Sequence, residues 1–370
     1  MKKTGYKLAE TQSKFGQFYQ KNLRDIYQQL EPKRFKYIRR FFITAVIGLF
    51  LIGSLLLLCS SGYISPKVYE SEGFIKLAMI ALCCFGVALY TPFHQYRTET
   101  KSRVMRKILS FWGDFKYFHE QNIIGTSLIK DSELFTYFNR EEIDDAFRGT
   151  YKNASLEVSE HNLRIHGNKG DTNIFKGIFI LLDFNKKFAG KTLVLSRARL
   201  WQLLLNNPIL FFVLVGVSIA LMITSHYILI GLTDWRVLFF IFLPPLVVGF
   251  IIYAIWKKIK KPRATQKVIL EGIPFLKRWK VFTDNQIEAR YILTPVLMEK
   301  ITELKKLFHG HCIDCSFFDN KLLIAVHTRK NLFETTSLFV PALSYHKVRQ
   351  VINQLHSIFS VIELLDLPEK

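Results

Sequence analysis

The feature that most constrains this chain is a set of long uncharged runs, the first reading FFITAVIGLFLIGSLLLL from Phe41 to Leu58, with no charge until Lys67. A helix crosses about 30 Å of hydrocarbon with roughly 20 residues, and every backbone polar group must be bonded internally there. A second, shorter run extends from Leu77 to Phe93, with Lys76 placed to snorkel at one end and Tyr90 to anchor the other. The third spans Pro208 to Ile230, interrupted only by His226, and the fourth Val237 to Trp256, where Pro244 and Pro245 are tolerated with a kink. A buried helix of a large soluble protein could supply any one of these runs. Their pairing by short loops into two hairpins favours membrane spans.

The flanks carry the second constraint. The chain holds 51 Lys and Arg against 30 Asp and Glu, a net charge of +21, and much of the excess stands beside the apolar runs. Lys33, Arg34, Lys36, Arg39 and Arg40 precede the first run, Arg97, Lys101, Arg103, Arg106 and Lys107 follow the second, and Lys257, Lys258, Lys260, Lys261 and Arg263 follow the fourth. Cationic residues collect on the cytoplasmic side of spans, so both termini and the segment between the hairpins are expected in the cytoplasm. A signal peptide is the competing reading of the first run, near Cys59 to Gly62. Forty residues of charged sequence in front of it are too many for a signal's n-region.

The fold class expected is an α-helical membrane protein with four transmembrane helices in two hairpins plus a cytoplasmic α+β domain. Residues 1–40 read as a basic amphipathic helix, with Phe15, Phe18, Tyr19, Leu23, Ile26, Tyr27 and Leu30 at three- and four-residue spacing. It could lie on the anionic inner leaflet or pack on the protein itself. Residues 41–93 form the first hairpin, 94–207 the first part of the cytoplasmic domain, 208–256 the second hairpin and 257–370 the rest. Thr98 to His119 keeps helical spacing. Ala154 to Ile165, Ile174 to Phe184 and Thr192 to Leu195 read as strands, as do Lys267 to Leu270, Trp279 to Phe282, Ile313 to Phe318 and Leu322 to His327. The last two are joined as a hairpin through Asp319, Asn320 and Lys321. Thr294 and Pro295 start a helix reaching Phe308, and Ser344 to Leu364 is a terminal amphipathic helix. One α+β domain is then built from strands on both sides of the second hairpin.

Several blocks resemble the bacterial family called domain of unknown function 3137. They are Gly149 to Tyr151 followed by LEVSEHNLRI, then IFKGIFILLDFNKKFAGKTLVLS from Ile174 to Ser196, and LKRWKVFTDNQIEARYILTPVLMEKITEL from Leu276 to Leu304. The acidic and leucine-rich ending from Glu363 to Leu367 is similar too, and the likeness runs roughly from residue 30 to 367. The second hairpin departs from the expected family layout. The resemblance implies a bacterial inner-membrane protein and carries no catalytic residues.

Two constellations could carry chemistry. The block HGHCIDC places His309, His311, Cys312 and Cys315 together as candidate metal ligands, or the two cysteines as a redox dithiol. On a strand Cys312 and Cys315 would face opposite sides, which favours two half-buried structural cysteines. Asp284, Glu288 and Arg290 are the candidate catalytic group, a carboxylate pair beside a guanidinium. The simpler reading makes Asp284 and Asn285 a turn and pairs Glu288 with Arg290 at the start of a helix. Glu141, Glu142, Asp144 and Asp145 form an acidic run, read as a solvated helix end or a patch facing basic segments. No nucleophile elbow, phosphate loop, dinucleotide fingerprint or zincin motif occurs in the sequence.

The function expected is a membrane-tethered interaction or regulatory module without catalysis and without a cofactor. The alternatives are a membrane-associated enzyme and a small transporter component. The partners expected are the lipid bilayer, anionic phospholipids at the basic flanks and a protein in the inner membrane. Nucleic acid is not expected, because topology accounts for the positive charge.

Overall fold

A computed structural model describes residues 2–63, 65–69, 71–152, 154–167, 170–183, 188–197, 266–268, 273–308, 312–328, 331–342 and 344–365. The third and fourth apolar runs lie outside the described residues, as do His309 and His311. The chain divides into two compact units, Met1–Tyr117 with Leu332–His356 and Phe118–Asn331 with Ser357–Lys370.

The first unit is helical. Helix α1 (Lys2–Phe18) passes through a single π-turn (Tyr19–Leu23) into α2 (Arg24–Ser60). Phe15, Tyr19, Leu23, Tyr27 and Leu30 are buried along this run. Four-residue steps on an α-helix overshoot a full turn by about 40°, and the wider π-turn takes up part of that drift, so one face stays inward. That face packs on protein: Phe15 meets Phe111 edge-on at 5.2 Å between ring centres, and Tyr19 meets Tyr345 at 5.1 Å. Of the two expectations for the N-terminal helix, the structure takes the one in which its apolar stripe is covered by the protein.

After a short helix α3 (Pro66–Tyr69), α4 (Glu72–Leu109) returns beside α2, its first turn capped by Ser71, whose Oγ accepts from the Phe74 N–H. Helical spacing had extended this element to His119. It stops at Leu109 because Gly113, at φ 142°, turns the chain into strand β1 (Phe115–His119). At Gly48 the Phe85 ring of α4 lies against the bare surface of α2. A Cβ there would run into the Phe85 ring, which would have to turn aside to admit any larger residue. Beyond this contact the apolar side chains face outward: Phe50 is 74% exposed, Leu57 70% and Val87 67%.

At the other end of these helices an irregular segment, 332–342, finds its hydrogen-bond partners on α2 and α4. Tyr27 donates to the Thr335 carbonyl at 3.4 Å, Arg34 to the Leu338 carbonyl at 3.2 Å, and Glu31 accepts from the Ala342 N–H at 2.7 Å. Thr100 and Thr336 share a hydroxyl contact at 2.8 Å, while Lys101 and Arg97 converge on Glu334 at 3.2 and 2.5 Å. A buried segment outside any sheet still needs its backbone groups satisfied, and side chains supply that here. Nearby, the Lys33 hydrogen bond and then the Tyr37 hydroxyl hold the Glu99 carboxyl below its ordinary range.

The second unit is built on an antiparallel sheet. Its strands are β2 (Arg140–Tyr151), β3 (Ala154–Gly167), β4 (Gly170–Asp183), β5 (Thr192–Ser196), β6 (Gln266–Lys267), β7 (Trp279–Thr283), β8 (Ile313–Phe318) and β9 (Lys321–His327). They lie in the order β2-β3-β4-β9-β8-β5-β7-β6, and strands from both sides of residues 198–265 therefore share one sheet. Helix α5 (Thr126–Asp131) and the loop after it cover one face with Ile129, Phe135 and Phe138, against Phe175, Phe179 and Phe318. Phe175 and Phe179 stack at 4.5 Å. Between them Gly177 is obligatory in shape: a Cβ would overlap the Val326 carbonyl oxygen on β9.

Strand β2 replaces the helix end expected for the acidic run. Pairing with β3 sets Glu142 against Arg164 at 2.7 Å and Glu141 against His161 at 2.8 Å, so cross-strand pairs absorb its charge. Helices α6 (Ile273–Arg278), α7 (Gln286–Ile292) and α8 (Pro295–Leu307) follow, with Thr294 Oγ1 accepting from the Leu297 N–H to start α8. The terminal helix α9 (Tyr345–Leu365) crosses the division of the chain at residue 356. In its second half Phe359 meets Tyr151 at 4.9 Å. The Tyr151 hydroxyl donates to Glu363 at 3.1 Å; burial first, then the Glu363 charge, pushes its pKa up to about 12.

Candidate functional site

Two of the three candidate catalytic residues meet at the start of α7. Asn285 caps that helix by accepting from the Glu288 N–H at 3.2 Å. The Glu288 carboxylate points back to the turn before β5, where it accepts from the Ala189 and Gly190 N–H groups at 2.8 and 2.7 Å. Asp284 accepts from the Lys191 N–H at 2.7 Å. Gly190 leaves the space for this approach, since a Cβ would run into Asp284 Oδ1. Arg290 is exposed on α7 and forms no ion pair with either carboxylate among the described residues. The expected pairing of Glu288 with Arg290 is therefore replaced by pairing of both carboxylates with backbone. This geometry clasps the AGK turn to the EARY helix, with one backbone N–H on each Glu288 oxygen.

The cysteine block resolves differently from its sequence pattern. Cys312 and Cys315 are both buried free thiols. Cys312 groups with Asp314 and His327, whose ligand atoms all lie within 4.8 Å of one another, and Cys315 does not join them. Strand alternation turns Cys315 to the opposite face, and burial, then the Asp314 charge, pushes its thiol well above its ordinary range. A neutral buried thiol facing away from Cys312 has neither the nucleophilicity nor the placement of a redox dithiol.

Asp314 is fully buried and both of its oxygens are engaged. Oδ1 accepts from the Ser196 N–H at 2.7 Å, and Oδ2 lies 3.1 Å from His327 Nε2. The His327 ring is held edge-on to Phe175 at 4.9 Å. A thiol, an imidazole and a carboxylate suit zinc by type. The hydrogen bonds instead use Asp314 to join β5, β8 and β9, a buried polar latch at the sheet centre. Asp314 and His327 were absent from the candidate set. The signal for them was present: the turn at Asp319 and Asn320 pairs Phe318 with Lys321, and that register carried back along the hairpin places Cys312 beside His327.

A large antiparallel sheet with flanking helices, joined in one chain to two long apolar helices, defines an α+β protein of a membrane-associated kind. Residues 173–367 match the family described as "Protein of unknown function (DUF3137)", and the chain belongs to that family. No protein of curated function matches it. Among solved structures it is similar to the crystal structure of the mycobacterial trehalose monomycolate transport factor A, TtfA, at 10% identity and a TM-score of 0.30, over 72% of this chain and 96% of that one.

Proposed function

We propose that this protein is a membrane-tethered interaction or regulatory module of the bacterial inner membrane, acting without catalysis. The observation that carries this reading is the outward apolar surface of α2 and α4, the two helices among the described residues that are long and apolar enough to cross a membrane. Exposed side chains such as Phe50, Leu57, Leu82 and Val87 have no water-compatible role in a single chain, and a bilayer covers them at no cost in desolvated backbone. Basic residues stand at the opposite ends of these helices, which favours cytoplasmic termini and a cytoplasmic sheet domain. The runs at 208–230 and 237–256 supply the second hairpin, giving four spans. The backbone N–H groups held by Asp284 and Glu288 give these two carboxylates a structural role in joining the turn before β5 to α7.

Purification of the intact chain from its native membrane in mild detergent tests the role. The expected result is a protein companion retained in stoichiometric amount. A chain that is turned over with a small substrate, or that retains a small molecule and no protein, contradicts it.

A further inference from the structure

Strand β2 loses register with β3 between Ile143 and Ala146, which puts Asp144 and Asp145 in a bulge. A bulge re-aims side chains that strict alternation would send to opposite faces. Facing it is the end of β1, where Glu120 adopts φ 55° and donates its N–H to the Asp144 carbonyl at 2.7 Å. These two irregularities bring four side chains together. His119 Nδ1 lies 3.7 Å from Asp144 Oδ1 and 3.9 Å from Asp145 Oδ1, and Nε2 lies 3.7 Å from Glu120 Oε1.

Both ring nitrogens of His119 are buried and make no hydrogen bond. The separations are too long for hydrogen bonds, which for nitrogen and oxygen fall at about 2.7–3.2 Å. They match donors arranged around an ion, because ligands each about 2.0–2.2 Å from a metal stand roughly 3–4 Å apart. The ligand atoms of His119, Asp144 and Asp145 all lie within 4.8 Å of one another. We propose that His119 Nδ1, Asp144 and Asp145 bind a divalent first-row transition-metal ion. Glu120 Oε1 lies on the Nε2 side of the ring at 3.7 Å, and a shift of about 0.5 Å would let it accept the N–H that a metal-bound imidazole presents there.

The ligand chemistry narrows the ion. One imidazole and two carboxylates, with no sulfur, suit Zn²⁺ or Mn²⁺, and the imidazole disfavours Mg²⁺. Asp145 is fully buried while Asp144 and His119 are partly open, so an ion can enter from one side. The site differs from the Cys312 cluster in its imidazole, since His327 Nε2 lies 3.1 Å from Asp314 whereas both ring nitrogens of His119 make no hydrogen bond.

The test uses the full chain in detergent, stripped with EDTA and then titrated with Zn²⁺, Mn²⁺ or Mg²⁺ in equilibrium dialysis. The expected result is one equivalent of Zn²⁺ or Mn²⁺ that millimolar Mg²⁺ does not displace. His119→Ala abolishes it, Glu120→Gln weakens it about tenfold or more, and Cys312→Ser leaves it unchanged. Asp145 is buried and its replacement could disturb folding, so the partly open His119 and the exposed Glu120 carry the test, with circular dichroism as the check on fold. Absence of a stoichiometric ion, binding that survives His119→Ala, or binding lost with Cys312→Ser would overturn the proposal.

Discussion

Glu334→Ala is expected to lower the stability of the helical unit by about 2–3 kcal/mol, the order expected when a buried cation loses a charged hydrogen-bond partner that is itself partly open to solvent. Lys101 is 1% exposed, its ammonium lies 3.2 Å from Glu334, and Arg97 reaches the same carboxylate at 2.5 Å. Losing the anion removes a shared partner of two cations at the point where segment 332–342 is bound to α4. Adding Lys101→Met to Glu334→Ala should restore part of the loss, because the double change removes the buried ammonium that faced Glu334 and keeps most of its packing volume. Thermal unfolding of the detergent-solubilised chain measures the first effect, and limited proteolysis within 332–342 shows whether the segment has come loose. Equal midpoints for the wild-type and Glu334→Ala chains would show that the pair does not hold the segment.

Asp314→Ala should destabilise the sheet by more, about 3–5 kcal/mol, since it removes a fully buried carboxylate that satisfies a backbone N–H and an imidazole together. Asp314→Asn should cost less, about 1–2 kcal/mol, because an amide oxygen can still accept from Ser196 and its NH₂ can face an acceptor nitrogen of His327. The polar latch also makes a prediction about metal: EDTA should leave the unfolding midpoint of the Cys312 cluster's sheet unchanged in the His119→Ala background. A midpoint that falls on chelation in that background would show that Cys312, Asp314 and His327 hold an ion.

Legibility in the sequence followed the range of the interactions. The β8–β9 hairpin could be read because its turn is local and its strands are apolar, and the α8 start because Thr294 and Pro295 act within one helical turn. Strand β2 could not, since its four acidic residues depend for their place on His161, Arg164 and the end of β1. Segment 332–342 has no helical or strand period, and its partners Tyr27, Arg34 and Thr100 lie far away in the chain. At the candidate sites the residues fell in the right blocks, but their partners did not show. Glu288 bonds to a turn about a hundred residues earlier, where Ala189 and Gly190 offer only backbone. The acidic run shows Asp144 and Asp145 but not their meeting with His119, which is made by a bulge and a left-handed Glu120, neither of which leaves a glycine or proline in the sequence.

The most direct test of membrane tethering with a cytoplasmic sheet domain is labelling of single engineered cysteines in intact cells with an impermeant maleimide. Asn320 is exposed at the β8–β9 turn and Lys67 is exposed between the two long helices, and Cys59, Cys83 and Cys84 are first replaced by alanine. Asn320→Cys should be silent in intact cells and react after permeabilisation, whereas Lys67→Cys should react in intact cells. Labelling of Asn320→Cys in intact cells, or of neither position before permeabilisation, would contradict it.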